Sequence, residues 1–374
     1  MGSAITSSSV TSSAPKRDAW IEINLQNLRT NLRQLKALLT PKLNILAVIK
    51  ADAYGHGAEH VATVLKQEGI SRFGVATLEE GLAVRQHDQS SEVLVLGAVP
   101  KVFWPAAIDA KLTLTFFNEQ QLLDAQQLPE GARLKVHLKI DTGMHRLGMD
   151  FKMAINWINA ALAHPKLQVM GMFTHLACAE VNAVSQQQID SWGRVLTQLN
   201  RSNLELHFAN SVGALAYHDT YSNLVRLGLV LYGFYPDLPP SLTRPLPALK
   251  PLITLRAKVV ALHSLPAGEG VGYGYSFRTK EPSLIATIPL GYADGIPRSL
   301  SNRLVAKLGA TQVTQVGNIA MDQMMFLVPE TTKIGDVITL LDENMTVSQW
   351  AQLVGTIPYE LLCALRARLD RYYI

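Results

Sequence analysis

The sequence predicts a (β/α)8 TIM barrel followed by a mostly β C-terminal domain, and three observations carry that prediction. Short β-branched runs alternate with amphipathic stretches, which suits parallel strands joined by crossover helices. The runs number eight, the count that closes such a barrel. After Tyr235 the texture changes to closely spaced short strands with little helix between them. A chain of 374 residues also makes two domains the default.

Taken in order, Met1–Lys16 is rich in Ser, Thr and Ala and lacks the long apolar core of a secretory signal, so residues 1–17 read as a disordered tail. Ala19–Asn24 alternates like a strand and suits pairing with the C-terminal domain. The eight barrel strands are expected at Leu43–Ile49, Arg72–Ala76, Glu92–Leu96, Leu112–Phe116, Leu134–Ile140, Gln168–Thr174, Leu204–Phe208 and Leu224–Leu227. Helical patterns such as His60–Glu68 and Gln186–Leu199 lie between them, with Ser185 placed to cap the second. Residues 18–240 form the barrel in this reading, and a doubly wound sheet is the alternative the pattern leaves open. Pro236 to Pro251 is proline-rich and reads as an extended linker. Within 241–374, strands are expected at Leu252–Leu265, Leu284–Pro289, Val305–Leu308, Gln312–Val316, Met324–Val328 and Val337–Leu341, and one helix at Thr346–Val354.

Composition excludes several classes. The net charge is +4 with a pI near 8.9, but the basic residues are scattered, so no nucleic-acid footprint is visible. Cys178 and Cys363 are the only cysteines, which argues against a disulfide scaffold or zinc finger and fits the reducing cytoplasm. Apolar stretches are strand-sized and interrupted, so no membrane span is expected.

The chemistry concentrates at predicted strand ends. Ala47-Val-Ile-Lys50-Ala-Asp-Ala-Tyr54-Gly-His-Gly57 places a lysine where an apolar strand meets a glycine-rich turn. Desolvated there, the amine can lose its proton and form an imine with an aldehyde. Lys139 with Asp141 and Arg146, then His175, then Asn210 and Ser211, then Arg226 and Gly228, follow the fifth to eighth strands. A barrel brings such ends to one mouth.

From Asp18 onward the chain resembles the alanine racemase family. The likeness rests on the Lys50 segment, Lys139-Ile-Asp-Thr-Gly-Met-His-Arg-Leu-Gly148, Phe173-Thr-His175, Ala209-Asn-Ser211, Val225-Arg-Leu-Gly228, Gly272-Tyr-Gly274, Gly291-Tyr-Ala-Asp-Gly295, Ala320-Met-Asp-Gln323 and Ile357-Pro-Tyr-Glu360. The resemblance implies pyridoxal 5'-phosphate carried on Lys50, L- and D-alanine as substrate and product, D-alanine supply for peptidoglycan, and a homodimer whose sites are completed in trans. Lys50 and Tyr273, the latter from the partner subunit, would be the two bases. Tyr54, His175, Asn210, Ser211, Arg226, Gly228, Leu229 and Tyr359 would surround the cofactor, with Arg226 at its pyridine nitrogen and the hydroxyls and amides at its phosphate. Arg146, Met321 and Asp322 would face the substrate carboxylate, and Tyr292 would line the entrance. Lys139 matches a lysine carbamylated in some members. No metal is implied.

Two departures stand out. His145 occupies a position where many members have glycine, and Arg368-Leu-Asp-Arg371 replaces a more usual Arg-Val-Pro-Arg, which leaves the path of the last strand open. A racemase also acting on serine, a cofactor-carrying regulatory protein without catalysis, a basic amino-acid decarboxylase and a cofactor-free class I aldolase are the competing readings. The decarboxylases' glycine-rich phosphate segment has no counterpart after the seventh strand, and the regulatory proteins are usually a barrel alone.

Overall fold

The computed structural model describes residues 17–199, 203–217, 221–365 and 368–374. It divides into two compact units. One comprises Asn24–Leu252, Pro358–Cys363 and Tyr373–Ile374; the other holds residues up to Ile23, Ile253–Ile357 and Ala364–Tyr372. Of the expected tail, residues 1–16 lie outside the described residues. Arg17 is fixed: its guanidinium donates to the Asp294 carboxylate and the Pro289 carbonyl.

The first unit is the (β/α)8 barrel. Number the strands along the whole chain, with β1 the strand Ala19–Ile23 of the other unit. The barrel strands are then β2 (Asn44–Val48), β3 (Arg72–Val75), β4 (Glu92–Val95), β5 (Thr113–Phe116), β6 (Leu134–Asp141), β8 (Leu167–Phe173), β9 (Glu205–His207) and β10 (Leu224–Leu227), with the short β7 (Met149–Asp150) beside β6. Their order is β10-β2-β3-β4-β5-β6-β8-β9, all parallel. Arg226 N–H to Ala209 O and Asn223 N–H to Leu206 O, each 3.0 Å, join the two ends. Buried runs such as Val93 to Val95 and Val136 to Ile140 are what strands covered on both faces require. Helix starts follow side-chain caps: Thr77 takes Glu80 N–H, Asn118 takes Gln121 N–H and Asn24 takes Asn27 N–H.

Local expectations fail where tertiary contacts override them. Ser185 does not cap: the helix runs Asn182–Leu196, and the Ser185 hydroxyl inside it donates to Cys178 O at 3.0 Å. A helix at Pro358–Ala364, with Pro358 in its first turn, went unforeseen and supplies Tyr359 to the barrel unit.

The second unit is a nine-stranded sheet of β1, β11 (Ile253–Lys258), β12 (Ala261–Leu265), β15 (Ser283–Ile288), β16 (Val305–Leu308), β17 (Thr311–Val316), β18 (Met324–Val328), β19 (Val337–Leu341) and β20 (Asp370–Tyr373), in the order β12-β15-β18-β17-β16-β19-β11-β1-β20. A small hairpin of β13 (Gly270–Val271) and β14 (Phe277–Arg278) stands off it. Ala19–Ile23, counted above with 18–240, is antiparallel to β11, pairing Ile23 with Ile253, and so belongs to this sheet. Residues 241–252, counted above with the C-terminal domain, fall in the barrel unit. The expected single strand Leu252–Leu265 is two. At Val259 and Val260 the backbone N–H groups turn to Asp336 O and Thr287 O, so the chain leaves β19 and continues beside β15. Among the described residues no helix is long and apolar enough to cross a membrane.

Candidate active site

Lys50 leaves β2 through a turn of unusual backbone. Ala51, Asp52, Ala53 and Tyr54 all have φ between 52° and 56°, a left-handed helical turn that costs an L-residue about 1–2 kcal/mol each. Tertiary contacts hold it. The Glu80 carboxylate accepts Ala51 N–H and Ala76 N–H, both at 2.7 Å, tying the turn to the end of β3. The Asp52 side chain accepts Ala58 N–H at 2.8 Å, and Tyr232 donates its hydroxyl to Val48 O at 2.9 Å. Gly57, at φ +86°, leaves room for the Tyr373 hydroxyl, which would lie 1.9 Å from any Cβ. A rigid base under Lys50 is the result.

The mouth is cationic. Burial, then Arg146, lowers Lys50 from the ordinary lysine value. Burial, followed by Arg146 and Arg226, brings Lys139 down to about 8. Asp141 is pushed up by burial, but N–H groups of Gly143, His145 and Met144 at 2.9–3.1 Å more than offset this and hold it below the usual carboxylate range. Four nitrogen bases converging on few acids make a place for an anion.

Arg226, on β10, is 3% exposed. Its Nη2 donates to Thr174 O (3.0 Å), Phe208 O (2.9 Å) and His175 Nδ1 (3.0 Å), and its Nη1 to His207 Nδ1 (2.8 Å). Burial lowers it to about 9, still protonated at neutral pH. Burial and Arg226 keep His175 and His207 far below the ordinary histidine value, hence neutral.

Around Gly228 lies a cluster of hydroxyls. Ser211 Oγ accepts Gly228 N–H at 3.0 Å. A Cβ on Gly228 would come within 2.7 Å of Tyr54 Oη, so glycine permits this approach. The Tyr54 ring lies 5.0 Å from Tyr232 and 5.8 Å from Tyr359. Burial raises both phenols, Tyr359 to about 12, so they remain donors. The Asn210 side chain caps the helix Ser211–Ala216 through Gly213 N–H, which fixes Ser211 in turn. Leu229 is fully buried beside Gly228. Hydroxyls, an amide and nearby cations suit a phosphate, and a half-buried lysine with lowered basicity suits an aldehyde, so the residues present fit pyridoxal phosphate.

The other four predicted residues lie in the second unit, on neighbouring loops. Tyr273 sits between β13 and β14, its carbonyl accepting from Asn318 Nδ2 at 2.7 Å, and it is 75% exposed. Tyr292 N–H and Ala293 N–H donate to Ala320 O and Met321 O, both at 3.0 Å. Asp322 is paired with Arg368 at 2.7 Å. Tyr292, Met321 and Asp322 are all exposed.

Both units have counterparts among known proteins. Residues 23–236 match the model described as "Alanine racemase, N-terminal domain" and residues 252–373 the one described as "Alanine racemase, C-terminal domain". The chain belongs to the alanine racemase family. It is 38% identical over 376 residues to the alanine racemase of Synechocystis sp., covering 96% of this chain and 100% of that protein. The alanine racemase of Helicobacter pylori strain Shi470 is 37% identical over 377 residues, with the same coverage. Among solved structures, that of alanine racemase from E. faecalis is similar with a TM-score of 0.90, 32% identity and coverage of 96% of this chain and 98% of that one. The alanine racemase from Bacillus anthracis with bound L-Ala-P has a TM-score of 0.88, 30% identity and coverage of 97% and 96%.

Glu80, Tyr232 and His207 also shape the site and carry no mark in the sequence motifs. Each acts through a contact distant in sequence, and no local spacing marks Glu80 among the acids of its helix. His207 had a signal, since it lies within the strand expected at Leu204–Phe208, three residues before Asn210.

Proposed function

We propose that the chain interconverts L- and D-alanine with pyridoxal 5'-phosphate as cofactor, as a cytoplasmic homodimer in which the partner subunit's Tyr273 completes each site. The observation that carries this reading is the gathering, in one barrel mouth, of a desolvated lysine, a buried arginine and a hydroxyl-lined cradle, in a chain matched over both family domains. Bound there, the cofactor supplies an aldehyde for the substrate amine and a conjugated ring that withdraws electrons from its α-carbon.

Lys50 holds the cofactor and then takes or returns the α-proton on one face of the substrate. The partner subunit's Tyr273 does the same on the other face, because inversion requires a proton donor opposite the acceptor. Tyr54, Ser211, Tyr359 and the N–H groups of Gly228 and Leu229 bind the phosphate. Arg226 donates to the ring nitrogen and, being a stronger base than that nitrogen, keeps its own proton. His175 links Arg226 towards the tyrosine. Arg146 and the partner's Met321 N–H and Asp322 position the carboxylate, and Tyr292 narrows the entrance. Lys139, at about 8, holds a neutral fraction near neutral pH, the form that reacts with carbon dioxide; the carbamate would pair with Arg146.

A visible spectrum of the protein with pyridoxal phosphate, followed by chiral analysis of L-alanine in deuterium oxide, tests the proposal. A yellow protein that makes D-alanine labelled at the α-carbon is expected. A colourless protein, or a yellow one inert to alanine, would overturn it, and labelling of serine at a similar rate would widen the substrate class.

A further inference from the structure

Below the mouth, Arg226 leads into groups that the proposed reaction does not use. His207 Nε2 stands 2.9 Å from His137 Nδ1, and His137 Nε2 stands 3.6 Å from Glu205 Oε2, within ion-pair reach although long for a hydrogen bond. Both imidazoles are buried, and His207 stacks on Phe173 with ring centroids 4.8 Å apart and planes 4° from parallel. Arg72 holds Glu205 Oε1 at 2.5 Å and Glu92 at 3.0 Å. A cavity of about 100 Å³ opens beside His137 and Glu205, lined also by Arg85, Lys111 and Lys135.

The direction of these contacts is determined. An arginine can only donate, so His207 Nδ1 is bare and the proton of its neutral ring sits on Nε2. That N–H points at His137 Nδ1, which must then be the acceptor, and the His137 proton sits on Nε2, facing the carboxylate. Burial and Arg226 keep both rings neutral, His137 at about 3. Donors therefore run one way, from the cation at the mouth to the anion at the foot of the barrel.

We propose that Glu205 is a positioning residue for Arg226: its carboxylate, 3.6 Å from His137 Nε2, favours in His137 and His207 the same tautomers that the arginine requires, which adds to the hold of Thr174 O, Phe208 O and His175 on the guanidinium. A donor at the foot would set the two ends in conflict, and one of the three contacts would have to break. The consequence for racemisation rests on the role proposed for Arg226; the tautomers themselves do not.

The test is 15N NMR of histidine-labelled holoenzyme, with Glu205→Gln and, as control, Glu92→Gln, which touches Arg72 but neither imidazole. In the unsubstituted protein, protons are expected on Nε2 of both His137 and His207; a proton on His207 Nδ1 overturns the proposal whatever the variants do. In Glu205→Gln the His137 signal is expected to change tautomer or double, with kcat lowered about tenfold, equivalent to about 1.4 kcal/mol, and KM for alanine little changed. Glu92→Gln should leave both signals and kcat alone. Unchanged signals in Glu205→Gln, or equal changes in Glu92→Gln, would overturn the proposal. A loss of racemase activity throughout with the tautomers as expected would instead count against the functional reading alone.

Discussion

The residues assigned to the barrel mouth and those assigned to the β unit differ in how they are held. Arg226 is buried and spends its donors on three carbonyls and two imidazoles, and Lys50 stands on a turn pinned by Glu80, Asp52 and Tyr232. Tyr273, Tyr292, Met321 and Asp322 ride on exposed loops, and among the described residues Tyr273 is held through its backbone carbonyl by Asn318. A group preorganised inside one chain has its chemistry set by that chain. Side chains exposed in one chain are not preorganised by it, so the role proposed for the second set depends on a partner surface covering them. Large exposed aromatics grouped on adjoining loops are the usual mark of such a contact.

The largest difference between the two regions should appear on mixing inactive chains. Lys50→Ala and Tyr273→Phe homodimers should each lose about 10²–10⁴ in rate, and subunit exchange between them should restore activity, because one of the two sites then has both bases. Chiral assay after verified exchange reads this; no recovery would place both bases in the same chain. Stability should separate the two regions next. Arg226→Met strands several buried acceptors, each costing about 1–3 kcal/mol, and should lower the thermal midpoint markedly. Tyr273→Phe should leave the subunit's urea midpoint unchanged under conditions where the dimer is dissociated; equal losses would remove the distinction. The smallest effect concerns Lys139. Its folded value of about 8 lies below the ordinary 10.5, so between these values the unfolded chain binds more protons and stability rises with pH. Urea titrations at pH 7.5 and 10 should show a smaller rise for Lys139→Met than for the parent protein. Bicarbonate should flatten the parent's rise if carbamate replaces the ammonium.

Much of this was legible in the sequence. The barrel strands could be read because burial on both faces demands apolar runs, and Lys50, Arg226, Ser211 and Gly228 stand in contiguous motifs at their ends. What escaped reading depends on contacts between distant positions. Nothing in Ala51-Asp-Ala-Tyr54 announces a left-handed turn, since none of the four is glycine. His137 looks like one more strand residue until the fold sets it against His207, 70 positions away. Ser185 failed as a cap because the helix begins three residues earlier, where its hydroxyl can reach Cys178 O. Tyr359 was found by motif, but its membership of the barrel unit, by way of the short helix that leaves the sheet, was not.

The left-handed turn also bears on the order of assembly. Four such residues cost about 4–8 kcal/mol together, comparable with the whole stability of an ordinary domain, about 5–15 kcal/mol. Besides the local Asp52–Ala58 contact, their restraints come from Glu80, 29 positions on from Ala51, and Tyr232, 184 positions on from Val48. A nascent chain that has made β2 but not yet the segment after β10 lacks the second of these. The prediction is that Lys50 reaches its working geometry only when the last barrel segment closes, so that the reactive amine is the end product of folding rather than an early passenger. Pulse-labelled hydrogen exchange showing Ala51 and Ala53 amides protected before Tyr232 docks would refute this order.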